Sequence, residues 1–143
     1  MKKLTLFFVL FVTPFCLKAQ GNNTQNESYM IKPGYLKKDI RKNCENEPAN
    51  FSLISKTDTC DSYTYQSYFR INCHYKNDTC NRLELIYPFN HKEIKNVVEG
   101  PYKKIGDNTW VLYTEGVEMR MSFDTKKDLM IMNITNSAIK KQD

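Results

Sequence analysis

The segment "HKEIKNVVEGPYKKIGDNTWVLY", residues 91–113, gives the order of elements from which the fold can be predicted. Asn90, just before it, and Glu93 have the spacing of a helix N-cap and its partner three residues later. Ile94, Val97 and Val98 then form the apolar stripe of a short helix. The segment therefore predicts a helix that packs one narrow face against a core.

The same segment also indicates where that helix ends and that a strand comes next. Gly100 can adopt the left-handed conformation that ends a helix, and Pro101 prevents its continuation. Residues 105–108, "IGDN", hold glycine, aspartate and asparagine and therefore predict a turn into a strand. We expect Trp110, the only tryptophan of the chain, to cap the core between the helix and the strands.

Towards the C-terminus the sequence predicts an antiparallel meander. The runs "WVLYT" and "VEMRMSF" flank Glu115-Gly116, which is a hairpin turn signal, and "LMIMNIT" predicts a third strand. Apolar and polar residues alternate strictly along the second run. We therefore interpret its methionines as core residues and not as an adaptable binding surface.

Towards the N-terminus the pattern predicts one more short helix. In "PGYLKKDIRKNCENEP", Leu36, Ile40 and Cys44 recur at intervals of four, between Pro33 and Pro48. A short strand is expected from Phe51 to Ile54. Residues 62–88 then predict a hairpin, with "SYTYQSYFRINCHY" as one strand, "KNDT" as the turn and "CNRLELIYPF" as the returning strand.

Together these elements predict a small single domain of the α+β class. An antiparallel meander sheet would be packed by one or two short helices and stabilised by disulfides. We place the domain at residues 33–136, after a flexible lead-in at 20–32 and before a loose tail at 137–143.

The first residues predict export. "MKKLTLFFVLFVTPFCLKAQ" has a charged start, an apolar stretch and a small residue before a cleavage point, which is typical of a secretory signal peptide at residues 1–19. The stretch is too short for a spanning helix. Retention as an anchor and lipid attachment at Cys16 are alternatives, but Phe15 stands where lipidation needs a small residue. We expect a periplasmic or extracellular protein.

The charge balance disfavours nucleic acid as a partner. Lys2, Lys3 and Lys18 would leave with the signal, so 18 basic residues would remain against 16 acidic ones. Nucleic-acid binding relies on a dense basic patch, and no run here exceeds two lysines.

Four cysteines would remain after cleavage: Cys44, Cys60, Cys73 and Cys80. An even number in an exported chain predicts two disulfides, with three connectivities open. A Cys73 to Cys80 bridge, with Cys44 to Cys60 as its complement, conflicts with the register that aligns the apolar faces, unless a β-bulge lies near the turn. The paired spacing of a zinc site is absent.

No catalytic motif is present, so we expect neither enzyme activity nor a cofactor. The chain holds two histidines, His74 and His91, and neither lies in a recognised catalytic pattern. On the first hairpin, we expect Tyr68 to be the exposed aromatic residue, because its neighbours on that face are polar. Tyr68, Arg70 and His74 therefore form the candidate partner surface, or the candidate site of a small secreted hydrolase or ligand carrier.

The order of elements over residues 91–135 resembles the SmpA/OmlA-type outer-membrane-assembly lipoproteins and the beta-lactamase-inhibitor-protein fold. The matching residues are Ile94, Val97, Gly100, Pro101, Trp110, Tyr113, Phe123 and Asp124. Two features depart from these families: "TPFC" is not a lipobox, and residues 34–88 repeat the unit only loosely, whereas the inhibitor proteins repeat it. The resemblance implies a protein-binding module of the cell envelope. We therefore expect an exported, non-enzymatic inhibitor, immunity or envelope-assembly accessory protein whose partner is another envelope or secreted protein, in an oligomeric state that the sequence leaves open.

Overall fold

The computed structural model describes residues 31–98, 100–114 and 116–137. The predicted signal peptide, Cys16 and most of the lead-in and tail lie outside these residues. Helix α1 spans Lys37–Asn46, and a 3-10 helix at His91–Glu93 leads into helix α2 at Ile94–Val98. The strands are β1 Phe51–Lys56, β2 Cys60–Tyr65, β3 Phe69–Lys76, β4 Thr79–Pro88, β5 Lys103–Gly106, β6 Thr109–Thr114, β7 Val117–Asp124 and β8 Leu129–Asn136.

The strands form one antiparallel sheet in the order β1-β2-β3-β4-β8-β7-β6-β5. Each half of the described chain is a short helix followed by a four-stranded meander, and the last strands of the two meanders pair at the centre of the sheet. The predicted α+β class therefore agrees with the structure at this level, but the sheet is larger than the sequence patterns indicated.

The register relates the two halves position by position. Glu84 of β4 pairs with Asn133 of β8 at the centre of the sheet, Asn72 of β3 pairs with Glu84, and Arg120 of β7 pairs with Asn133. Two residues are equivalent when they lie the same number of strands, and the same number of positions along the strand, from this central pair. By this rule Asp61 in the first half corresponds to Trp110 in the second half.

One face of the sheet carries the core. Both helices pack on this face, where Ile40 and Cys44 of α1 are buried and Ile94 and Val98 of α2 are partly buried. The four central strands contribute alternating apolar residues, all below a tenth exposed: Phe69, Ile71, Cys73, Tyr75, Leu83, Leu85, Tyr87, Met119, Met121, Phe123, Met130, Met132 and Ile134. The interpretation of the methionines as core residues is confirmed.

Helix α1 is fixed to the sheet by a buried ion pair. Arg41 places Nε 2.8 Å from Asp61 Oδ2 and Nη2 2.9 Å from Oδ1, and Asp61 is fully buried. The Tyr75 hydroxyl donates a third hydrogen bond to the same carboxylate at 2.9 Å. A buried carboxylate needs such partners, because it has lost its hydration.

The predicted long strand of the first hairpin is wrong. The chain reverses at residues 66–68, so that β2 and β3 are separate strands and Tyr65 faces Phe69. Gln66 and Ser67 adopt φ values of 50° and 55° at the turn. Neither is a glycine or an asparagine, the residues that normally occupy such turn positions with positive φ. The strand β5 was likewise missed, because "KKIG" is short and exposed.

A β-bulge at Asn81 resolves the register conflict in favour of the apolar faces. His74 faces Arg82, but Tyr75 faces Cys80, so that Cys73 lies opposite Leu83. The bulge has a cost, because Asn81 Oδ1 is buried without a hydrogen-bond partner in the described part of the chain. No two of the four cysteines are bridged in the structure, which describes all as free thiols. The predicted disulfides are therefore not shown.

The second helix and the start of the domain differ in detail from expectation. Asn90 accepts a hydrogen bond from the Lys92 backbone amide, as a cap, and Gly100 has the expected positive φ of 101°. Trp110 is only partly buried and packs edge-on against Phe123 at 5.5 Å. Ile31, in the expected flexible lead-in, is 1% exposed and belongs to the core.

Candidate functional site: the open sheet face

The second face of the sheet is mostly polar, and neither described helix packs on it; its apolar and aromatic members include Ile86, Val111, Ile131 and Tyr113. We call it the open face. It is formed by the alternate residues of the strands that point away from the helices. Among them are Ser62, Arg70, Asn72, His74, Lys76, Arg82, Glu84, Lys103, Glu118, Arg120, Ser122, Asp124, Asn133 and Thr135.

In the first half these side chains form a hydrogen-bonded network centred on Asn72. Asn72 Oδ1 accepts from Ser62 Oγ at 2.8 Å and from Arg70 Nε at 3.0 Å. Asn72 Nδ2 donates to Glu84 Oε1 at 2.7 Å. Asn72 and Ser62 are both buried, so the network is ordered at its base and exposed at the guanidinium of Arg70.

A second part of the network crosses from the first half to the second. Arg82 Nη2 lies 3.2 Å from His74 Nε2, and Arg82 Nη1 donates to Asn133 Oδ1 at 3.3 Å. His74 Nε2 is also 3.7 Å from Glu84 Oε1. Burial lowers the pKa of His74, and the neighbouring Arg82 charge lowers it further, against the opposing effect of Glu84. His74 is therefore held towards its neutral form.

In the second half the open face carries one ion pair with unequal exposure. Arg120 Nη2 lies 3.1 Å from Glu118 Oε1, but the Arg120 side chain is 48% exposed and the Glu118 side chain only 5%. The carboxylate is thus within the surface and the guanidinium is presented to solvent.

The three residues of the candidate surface separate in the structure. Arg70 and His74 lie on the open face and are linked through Asn72 and Glu84. Tyr68 is exposed, as expected, but it lies in the turn before β3 and contacts the ring of Phe69, a core residue of the opposite face. The sequence pattern placed Tyr68 in a strand that does not exist.

Four members of the site were not predicted from the sequence: Arg82, Glu84, Arg120 and Asn133. The sequence shows the alternation that puts each of them on the polar side of its own strand. Whether these polar sides adjoin depends on the pairing of β4 with β8, whose paired residues are about fifty positions apart in sequence. Local periodicity carries no signal for such a pairing.

Within the described residues, no cluster of His, Cys, Asp and Glu has a metal-binding arrangement. In the same ranges, neither helix has the length and apolar character needed to cross a membrane.

Comparison with known proteins leaves the chain without an assigned family. A scan against protein-family models and searches of curated proteins and of solved structures found no match.

Proposed function

We propose that the chain is an exported, non-enzymatic protein-binding module of the bacterial cell envelope, an inhibitor, immunity or envelope-assembly accessory protein whose partner docks on the open face. The observation that carries the proposal is the asymmetry of the sheet. One face is covered by both helices, whereas the other presents ordered polar side chains with no described helix over them.

A preordered polar surface suits protein recognition. Side chains that are already fixed by hydrogen bonds lose less conformational entropy when a partner binds. Asn72 and Ser62 are buried and bonded to one another, so the central side chains are fixed before any partner arrives. The duplicated helix and meander also fit the repeated unit of the beta-lactamase-inhibitor-protein fold, which the resemblance implies.

Disulfide stabilisation after export is part of the same proposal. Burial raises the pKa of the Cys44 and Cys80 thiols to about 12 and raises that of Cys73 as well. Because the thiolate is the reactive form, bridges would form before these side chains are buried. A non-reduced peptide map of the exported protein tests this: two disulfide-linked pairs among the four cysteines, in any of the three connectivities, support it, and four alkylatable thiols refute it.

The docking proposal is tested by capture from an envelope extract of the source organism. The bait is the tagged mature chain, in three forms: wild type, Ser122→Trp on the open face and Lys42→Trp on the exposed side of α1. We expect the wild type and Lys42→Trp to retain one protein partner and Ser122→Trp to lose it, because a bulky ring on the face blocks contact.

Two results would count against the docking proposal. Repeated failure of the wild type to retain any protein would remove the binding function. Retention of the partner by Ser122→Trp, with loss by Lys42→Trp, would move the interface to the helical side.

A further inference from the structure

The exposed charges of the open face all have one sign. Among the described residues, four charged side chains on this face are exposed, and each is basic: Arg70, Lys76, Lys103 and Arg120. The acidic residues on the same face are all less exposed: Glu84, Glu118 and Asp124. The face therefore presents positive charge, although the chain without its predicted signal peptide would carry 18 basic residues against 16 acidic ones.

Each carboxylate of the open face is already engaged. Glu84 accepts from Asn72 at 2.7 Å, and Glu118 pairs with Arg120 at 3.1 Å. Asp124 accepts from the backbone amides of Lys126 and Lys127, both at 3.1 Å, and so fixes the turn between β7 and β8. These carboxylates keep their charge, but the basic side chains named for the face outnumber them five to three and include every exposed charge that the structure describes on it.

The arginines of the first half are positioned by neutral groups. Arg70 donates to Asn72 and Ser62, and Arg82 contacts Asn133 and His74. Among the described residues, neither guanidinium lies within 4 Å of a carboxylate oxygen. A guanidinium that is oriented but not neutralised is prepared for a bidentate contact with an incoming anion.

From this arrangement we propose that the open face recognises an acidic segment of its protein partner, with Arg70 and Arg82 as anchors for Asp and Glu side chains. Arg120, which also pairs with Glu118, contributes the exposed part of its guanidinium. This inference rests on the proposed docking function and specifies the chemistry of the partner. Interfaces place potentials of opposite sign against one another, so a basic face selects a carboxylate-bearing surface.

A protein partner fits this face better than a nucleic acid. Nucleic acids are held by dense rows of cations. Here the cations are separated by Glu84, Glu118 and by amides such as Asn72 and Asn133. Cations that are separated in this way suit individual carboxylates better than a continuous row of phosphates.

The direct test measures binding of defined probes to the mature chain by fluorescence anisotropy. The probes are a labelled ten-residue polyglutamate peptide, a polyglutamine peptide of equal length, a heparin fragment and vesicles of phosphatidylglycerol. We expect binding of polyglutamate that weakens as salt is raised, and no binding of polyglutamine. In labelled protein, the peptide should shift amide resonances of β3, β4, β7 and β8 and leave those of α1 unchanged.

Matched variants assign the binding to the arginines. The double variant Arg70→Gln, Arg120→Gln should weaken polyglutamate binding about tenfold or more, since hydrogen bonds to charged groups are lost. The double variant Lys38→Gln, Lys42→Gln, on the exposed side of α1, also removes two positive charges and should change it little. Arg120→Lys keeps the charge without the fork and should give an intermediate loss. Thermal unfolding confirms that each variant is folded.

Failure of the inference can be told from failure of the docking function. Absent polyglutamate binding, or equal losses in the arginine double variant and the Lys38→Gln, Lys42→Gln double variant, overturns acidic recognition. Binding of heparin or vesicles without polyglutamate also overturns it, in favour of a phosphate or sulfate surface. If a captured partner is still lost with Ser122→Trp in either case, the docking function stands and only its chemistry is wrong.

Discussion

The two halves of the sheet have the same order of elements but carry opposite chemistry at equivalent positions on the helix-covered face. In the first half Asp61 binds Arg41 and Tyr75 through hydrogen bonds and charge. At the equivalent positions of the second half, Trp110 and Phe123 make an edge-to-face aromatic contact at 5.5 Å. The same architecture is therefore compatible with a buried ion pair and with apolar packing, and for this reason the two halves resemble one another only loosely in sequence.

The largest expected effect on stability comes from breaking the ion pair that attaches α1 to the sheet in the first half. Arg41→Met leaves the fully buried Asp61 with Tyr75 as its hydrogen-bonding side chain. Removing one partner of a buried pair costs about 3 to 5 kcal/mol, and Arg41 is partly exposed, so we expect about 3 kcal/mol. The free energy of unfolding in urea measures it.

The control for this change is Lys42→Met, the neighbouring exposed residue of the same helix. It should alter the free energy of unfolding by less than about 0.5 kcal/mol. Equal effects of the two substitutions would show that the ion pair does not hold α1 to the sheet.

Breaking the aromatic contact at the equivalent positions of the second half should have a smaller effect on stability. Trp110→Ala removes the ring that packs on Phe123, and full burial would make this cost about 3 to 5 kcal/mol. Because Trp110 is only partly buried, we expect about 2 kcal/mol, again from urea unfolding. Tyr113→Ala, on the same strand and 63% exposed, should have almost no effect. A loss for Tyr113 as large as for Trp110 would contradict the assignment of Trp110 to the core.

The two helices also differ in the backbone conformation that follows each of them. Helix α1 is followed by Glu47 at φ −122°, a conformation open to any residue, whereas α2 is followed by Gly100 at φ +101°. Gly100→Ala should therefore lower the free energy of unfolding by about 1 to 2 kcal/mol, since a side chain is strained there. Gly106→Ala is the control, because its Cβ would meet only Thr109 at an ordinary 3.8 Å. Equal stability of the Gly100 variant and the wild type would exclude the strain.

Sequence patterns within single helices and strands correctly predicted the features that depend on neighbouring residues in the chain. The buried positions of Ile40 and Cys44, the left-handed Gly100 and the alternating methionines of β7 and β8 all agree with the structure. Leu36, the first residue of the predicted stripe, is instead the N-cap of α1 and 42% exposed, because the helix begins only at Lys37. The turn at Gln66 and Ser67 could not be predicted, because tertiary pairing of β2 with β3 imposes a conformation that these residues do not favour.

The candidate site was predictable only in part. Alternation put Arg70 and Asn72 on one polar face, but the contact of Arg82 with Asn133 requires the pairing of β4 with β8. That pairing joins the two halves across the centre of the sheet, where both strands are largely apolar on one face. Many registers satisfy such a pattern, so the sequence does not specify the neighbours.

The smallest expected effect concerns the open face, where the halves differ in a titratable group. His74 of the first half corresponds to Ser122 of the second. Burial and Arg82 lower the pKa of His74 below its ordinary 6.5, so below that pH the unfolded chain takes up the proton more readily than the folded chain. Part of the stability should thus be lost as the pH falls from about 7 to about 5. His74→Gln should remove this part of the pH dependence of the free energy of unfolding, and His91→Gln should retain it. A His74→Gln profile that parallels the wild type would show that the imidazole is not held in its neutral form by the open-face network.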